Sequence, residues 1–235
     1  MIFSKIKDYL FPRRCAICDD VICSSEYICK KCGSKIRYIS GDTCIKCGKS
    51  IQNSSRLYCY DCSRKIHIYD KGYSVFEYNQ IKNSLYRFKY SGRAEYARYY
   101  AYTANSHLGT VLRGLGADAL IPVPIHKKRL KERGYNQAEV FANELSKLLN
   151  IPVYNDYLIR KKATVPLKLL DVQERANNLK KAFIIRPNSV ELETIIIIDD
   201  IYTTGATIDE ISRVLRDNGV QKIYFLTVAS GSGLL

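Results

Sequence analysis

Acidic side chains are scarce in this chain. Among 235 residues, 23 Asp and Glu stand against 37 Lys and Arg, a formal net charge of +14. Such an imbalance points to a polyanionic partner, with a merely solvated basic surface as the plain alternative. Long apolar runs are also missing. None approaches the ~20 residues of a membrane-spanning helix, so no transmembrane segment is expected. The opening stretch MIFSKIKDYLFPRRC has lysines breaking its short apolar run and lacks a small-residue cleavage site. It therefore does not read as a secretion signal, and a cytoplasmic chain is expected. Residues 1–11 keep two readings, an amphipathic segment on a membrane surface or one packed against the body. Histidine is sparse: His67, His107 and His126 have no nucleophile and acid in a recognisable triad. His126 lies beside a basic run and could meet an anion, whereas the other two read as surface or packing residues. Low-complexity tracts are absent. The length suffices for one large domain and one small one.

Cysteine, by contrast, is concentrated. Eight of the nine cysteines form four CxxC pairs, Cys15/Cys18, Cys29/Cys32, Cys44/Cys47 and Cys59/Cys62, all within the first 62 residues. A CxxC knuckle turns two sulfurs toward one point, and two knuckles complete a tetrahedral S4 site suited to Zn2+. Gly33 and Gly48 follow second cysteines and ease the tight turn. Disulfides and redox-active CxxC motifs are the competing readings. The first rarely persist in the cytosol, and the second seldom come four in a row. Two tandem zinc ribbons are expected over residues 1–66, with two structural, coordinatively closed zinc sites whose metal supplies folding energy to a segment poor in large aliphatics. The simplest pairing joins the first knuckle to the second and the third to the fourth; an interleaved pairing remains open. Cys23 is left as a free thiol. Eight thiolates and two zinc ions would bring the net charge to about +10, still basic.

Residues 67–235 form the second part. Residues 73–78 alternate as a short strand; 80–91 and 94–112 read as helices separated by Ser91-Gly92. Asp118 to Val123 is an apolar strand ending in Pro122-Val123-Pro124, followed by the basic run 126–134. A helix then opens at Asn136, with Glu139 three residues on as in a capping box, and buries Ala138, Phe141, Leu145 and Leu148. Residues 160–181 are long, charged and weakly periodic and read as a mobile loop. A strand near 182–186, the strand Ile195–Ile198, a helix with Ile208, Ile211, Val214 and Leu215 closing at Asn218-Gly219, and a strand over Lys222–Val228 complete the chain. Strands alternating with helices predict a parallel α/β sheet, with the isoleucine run at its centre.

That run leads directly into Asp199-Asp200-Ile201-Tyr202-Thr203-Thr204-Gly205-Ala206-Thr207. Ligands of open α/β sheets bind at the carboxyl ends of strands. Backbone N–H groups and the hydroxyls of Thr203, Thr204 and Thr207 make a nest for one phosphate, Gly205 permits close approach, and the helix start near Ala206 adds its positive end. Two adjacent carboxylates would repel phosphate, so they must address vicinal ribose hydroxyls or a Mg2+ ion. A sugar phosphate fits both halves. The Walker lysine is missing, so this is not an ATP-type loop.

This stretch resembles the 5-phosphoribosyl-1-pyrophosphate (PRPP) motif of type I phosphoribosyltransferases. With the ribbons, Phe88-Lys89-Tyr90-Ser91-Gly92, Pro122-Val123-Pro124, Arg133-Gly134-Tyr135-Asn136-Gln137, Glu174-Arg175-Ala176-Asn177 and Ala182-Phe183, the chain resembles the ComF family, associated with competence and DNA uptake. The resemblance implies a type I phosphoribosyltransferase-like parallel sheet with flanking helices, preceded by a double zinc ribbon, with residues 73–115 as its hood. It implies that Asp199 and Asp200 contact the ribose hydroxyls and Mg2+, that Thr203, Thr204, Gly205, Ala206 and Thr207 wrap the 5-phosphate, and that Lys127, Lys128 and Arg129 take the pyrophosphate. Residues 160–181 correspond to the closing loop, where Arg175 would neutralise the leaving pyrophosphate. Leu167 departs from the glutamine expected after Thr164 and Pro166. Purine-salvage relatives carry an aspartate where Thr203 stands, and a threonine cannot act as that general base.

Basic and aromatic residues interleave at Tyr86-Arg87-Phe88-Lys89-Tyr90 and over Arg93 to Tyr102. Arg87, Lys89 and Arg93 are candidates for contacting single-stranded DNA, although Leu85, Phe88, Tyr96 and Tyr99 also fit a helical core. The ribbons, with Arg13, Arg14, Lys30, Lys31 and Lys46, are a further possible DNA or protein contact. The leading expectation is a competence-associated DNA-uptake factor that binds PRPP–Mg2+ and single-stranded DNA, with proteins of the DNA-uptake machinery as further partners. The alternative is an active phosphoribosyltransferase of unknown acceptor, releasing pyrophosphate.

Overall fold

In the computed structural model, Ile195 to Ile198 are fully buried in the interior of strand β5 (Thr194–Tyr202). The structure describes residues 12–51, 55–161, 182–187 and 190–231. β-Branched residues buried on both faces suit a strand in the middle of a parallel sheet. β5 pairs in parallel with β2 (Ala119–Pro122) on one side and with β6 (Lys222–Ser230) on the other. β6 also pairs in parallel with β1 (Lys71–Glu77), giving the order β1-β6-β5-β2. β2 stops at Pro122, opposite Ile198, whereas Asp199 lies opposite Thr227 of β6. From Asp199 onward, β5 is thus open on its β2 side.

The side chains of β5 alternate between two cores. Ile196 and Ile198 face helices α3 (Tyr78–Tyr90), α4 (Tyr96–Gly114) and α6 (Gln137–Leu149); Ile195 and Ile197 face α7 (Ala206–Arg216). Asn136 caps α6, its side chain accepting from the Ala138 N–H at 3.2 Å. The basic run also forms a short helix, α5 (Lys127–Arg133), which ends at Gly134 with φ 81°.

The strand expected near 182–186 exists as β4 (Phe183–Ile185), but it lies outside the main sheet and pairs antiparallel with β3 (Leu158–Arg160). Arg160, at the edge of the expected mobile loop, is therefore in a strand. Residues 162–181, including Arg175 and Leu167, and residues 1–11 lie outside the described residues.

The ribbons contain the short helices α1 (Lys30–Gly33) and α2 (Tyr60–Arg64). They straddle the free edge of β1: Ile39 N–H donates to the Val75 carbonyl at 2.9 Å, and Gly72 N–H donates to the Lys46 carbonyl at 2.8 Å. Ala16 and Ile36 of the first ribbon join the core on the α3/α4 side, and Cys44 and Cys47 of the second join the core on the α7 side.

Candidate ligand cup and cysteine centres

The cysteines gather as Cys15/Cys18/Cys29/Cys32 and Cys44/Cys47/Cys59/Cys62, with the ligand atoms of each set within 4.8 Å of one another. This settles the pairing in favour of the sequential arrangement. Four sulfurs at ~2.3 Å from a tetrahedral zinc would stand about 3.8 Å apart. Cys18 and Cys29 sulfurs are 3.8 Å apart, and Cys47 and Cys59 sulfurs 3.6 Å. Backbone N–H groups support the sulfurs, from Cys29 to Cys15 Sγ at 3.3 Å and from Cys32 to Cys29 Sγ at 3.4 Å. Both sets fit structural zinc. Cys23 is exposed and outside them.

The second centre is formed by the carboxyl end of β5 and the turn into α7. Asp199 and Asp200 are the last acids of the strand, and the Asp200 N–H donates to Asp199 Oδ1 at 2.8 Å. Burial, reinforced by the charge of Asp200, raises the Asp199 carboxyl to about 7. Two cations act on the pair, Lys89 and Arg160. Lys89 Nζ of α3 lies 2.8 Å from Asp200 Oδ2, with both side chains about 15% exposed. Arg160 of β3 is held over the Phe183 ring at 5.2 Å. Burial and then the charge of Arg129 lower Arg160 to about 10, an effect opposed by Asp199. The cup therefore joins β5, α3 and β3, with Arg129 of α5 close enough to act on Arg160.

Gly205 sits in the turn at φ 77° as the N-cap of α7. A side chain there would meet the Tyr202 hydroxyl at 2.7 Å and His67 Cε1 at 2.9 Å, so glycine is required both for backbone conformation and for space. Thr203 is exposed, while Thr204, Ala206 and Thr207 are half-buried. Asp209, in the first turn of α7, meets Lys65 Nζ at 2.7 Å and His67 Nδ1 at 2.9 Å. Burial works against ionisation here, but His67 and Lys65 hold the carboxyl below its usual range.

Lys127 and Lys128 are exposed on α5, just beyond the end of β2, and Arg129 is half-buried. His126 is occupied as the N-cap of this helix, its Nδ1 accepting from the Lys128 N–H at 3.2 Å. The candidate nucleic-acid residues are engaged within the molecule: Arg87 donates to the Ile17 carbonyl, Lys89 pairs with Asp200, and Arg93 Nε lies 2.9 Å from Asp19 Oδ1. Leu85, Phe88, Tyr96 and Tyr99 are core, at most 3% exposed. Tyr86 and Tyr90 are 62% and 54% exposed, with ring centroids 5.1 Å apart, and the Arg133 guanidinium lies 5.0 Å from the Tyr90 ring centroid. Arg160 and Asp209 had no signal in the sequence beyond their residue type.

Residues 6–63 match the double zinc ribbon domain, and residues 136–233 the phosphoribosyl transferase domain. Over 108 residues the chain is 40% identical to Competence protein F of Haemophilus influenzae, a match covering 45% of this chain and 47% of that protein. It is 34% identical over 150 residues to Competence protein ComFC of Bacillus subtilis, covering 62% and 58%. It is 33% identical over 106 residues to DNA utilization protein YhgH of Escherichia coli O157:H7, covering 45% and 46%. The chain spans about half the length of the curated relatives it matches. The parallel sheet with flanking helices and the cysteine tetrads agree with these two domains, and the similarity to competence proteins agrees with the ComF-type resemblance.

Proposed function

We propose that this chain, a double zinc ribbon joined to a phosphoribosyl transferase domain and similar to competence and DNA-utilization proteins, acts in the cytoplasm as a DNA-uptake factor that binds PRPP–Mg2+ and single-stranded DNA. One observation carries the PRPP reading: an acid pair at the open end of the central strand runs directly into a glycine turn at a helix N-terminus. Thr203 to Thr207 offer N–H groups and hydroxyls to the 5-phosphate. Asp199 and Asp200 would accept hydrogen bonds from the ribose hydroxyls and would hold Mg2+ through their hard carboxylate oxygens, the ion supplying positive charge against the ligand's phosphates. Lys89 neutralises Asp200, and a divalent cation there would take over that task. Lys127, Lys128, Arg129 and Arg160 supply positive charge for the pyrophosphate, with Arg175 assigned to the same task. The test is calorimetric titration of PRPP with Mg2+. The variant Asp199→Asn/Asp200→Asn should fold and bind at least about tenfold more weakly; unchanged affinity would overturn the assignment.

Single-stranded DNA is supported by the names of the relatives, by the charge of +14, and by the exposed Tyr86–Tyr90 pair with Arg133 beside it. Tyrosine faces stack bases while cations follow phosphates. With Arg87 and Arg93 held internally, we assign the contact to this tyrosine face, beside which lies Arg133 of α5, the helix that also carries the exposed Lys127 and Lys128. Binding of labelled oligo(dT) should weaken steeply with salt, and Tyr86→Ala/Tyr90→Ala should weaken it by about tenfold or more. Binding that ignores salt, or none at all, rejects this half. Proteins of the DNA-uptake machinery would deliver the strand.

A second reading is an active transferase. Arg160 acts on Asp199, and Arg129 stands close enough to act on Arg160, so the two could stabilise departing pyrophosphate. Release of pyrophosphate from PRPP, screened against nucleobases and DNA, tests it; no release with any acceptor leaves ligand binding as the function.

A further inference from the structure

The linker leaving the second ribbon does not simply connect two parts. Asp209 accepts from Lys65 Nζ at 2.7 Å and contacts His67 Nδ1 at 2.9 Å through Oδ2, while Oδ1 accepts the Ile68 N–H at 3.1 Å. Its own N–H donates to the Gly205 carbonyl at 2.8 Å. An acid in the first turn of a helix is expected from the dipole alone. One whose two oxygens are taken by three groups of a single linker is a latch.

The other flank of the turn is held from the same side. Tyr202, immediately before Thr203, shares a 2.7 Å hydroxyl contact with Tyr69 of the linker, and both rings are buried. Tyr202 stacks on Phe225 at 4.7 Å and 7°, with Tyr69 edge-on to Phe225 at 4.9 Å. Lys49, a second-ribbon residue only 4% exposed, pairs with Asp61 at 2.7 Å and lies 5.4 Å from the Tyr202 ring centroid. Between these flanks, Gly205 lies directly over Tyr202 and His67. The first ribbon reaches the opposite core, through Ala16 and Ile36.

We infer that Asp209, His67 and Tyr202 are positioning residues for the phosphate turn, and that the second ribbon, through Lys65–Tyr69 and Lys49, sets the conformation in which residues 203–207 receive phosphate. The inference rests on the PRPP reading and adds that the second ribbon is part of the ligand-binding apparatus.

The experiment uses the full chain loaded with zinc. Asp209→Asn should weaken PRPP–Mg2+ binding about tenfold and weaken inorganic phosphate in parallel. Zinc content, and the affinity of Mg2+ alone for the acid pair, should stay as in the wild type. General destabilisation would not separate phosphate from Mg2+ in this way. Should Asp209→Asn not fold, Lys65→Met removes a single partner whose side chain is 44% exposed and should weaken phosphate about threefold. Wild-type affinity for PRPP and phosphate in the folded variant overturns the inference while leaving the PRPP reading intact. A wild-type chain that binds neither ligand removes both.

Discussion

At the scale of single residues, the proposed chemistry turns on two carboxylates that share too little solvent. Burial and the charge of Asp200 raise Asp199 to about 7 from an ordinary 3.8, while Lys89 and Arg160 oppose the rise. A carboxyl whose folded value exceeds its unfolded value binds more protons when folded. Its favourable contribution is present below the unfolded value and is lost as pH climbs toward about 7. Asp199→Asn should therefore melt higher than wild type at pH 8, by about 2–4 °C per kcal/mol of repulsion removed. The difference should shrink toward pH 4 in thermal scans at both pH values; an equal shift at both would contradict it. Mg2+ affinity should rise as pH increases through 7. Lys89→Met takes away a charge that lowers Asp199, so a carbon-13 carboxyl titration should show the Asp199 transition moved upward. The placement of the acids at the end of β5 and of Gly205 in the turn was legible because an apolar strand running into a glycine turn is a local pattern. Lys89 was read as a nucleic-acid contact because sequence cannot show that the last turn of α3 brings it to Asp200. Asp209 had an ordinary dipole explanation and hid behind it.

At the scale of elements, the fold was readable where patterns were long. The isoleucine run, the helix capped by Asn136 and the final strand fall close to their expected positions. Short pieces were not. β4 was expected near 182–186, but β3 has only three residues and is stabilised by β4, so no local pattern announces β3 or the antiparallel pairing outside the main sheet. Helix α5 was read only as charge, because the run of Lys and Arg masks any apolar face. The least legible feature is the edge of β1. An exposed edge strand invites aggregation, and here the ribbon backbones cover it at Val75 and Gly72. Gly72 has a second duty, since any Cβ there would overlap the Phe225 ring, which supports Tyr202. Gly72→Ala should cost about 1–3 kcal/mol in urea unfolding. It should weaken PRPP as well, because Phe225 cannot retreat without shifting the stacked tyrosine. A variant as stable as wild type would mean that the ring has room to move.

At the scale of the whole molecule, the division expected between residues 66 and 67 meets an arrangement in which the ribbons enter both cores. Ser84 Oγ donates to the Ala16 carbonyl, Arg93 holds Asp19 at 2.9 Å, and Cys44 and Cys47 are completely buried with Tyr69 in the α7-side core. Structural zinc contributes roughly 10–16 kcal/mol of apparent binding energy at neutral pH, against a net stability of about 5–15 kcal/mol for a typical domain. Removing either ion from a zinc-loaded chain would therefore withdraw an amount comparable to the entire margin from a unit sharing its core. Differential scanning calorimetry should give one cooperative transition for the zinc-loaded chain. A strong chelator should lower that transition as a whole, not detach a small zinc-dependent step from an unchanged larger one. Residues 67–235 expressed alone would bare the edge of β1 and the apolar surface beneath both ribbons, and should aggregate. Two separated transitions, or a soluble fragment that retains phosphate binding, would show that the ribbons are passengers. Ribbon residues in the cores on both faces of the sheet argue instead that the cysteine centres and the candidate cup fold, and fail, together.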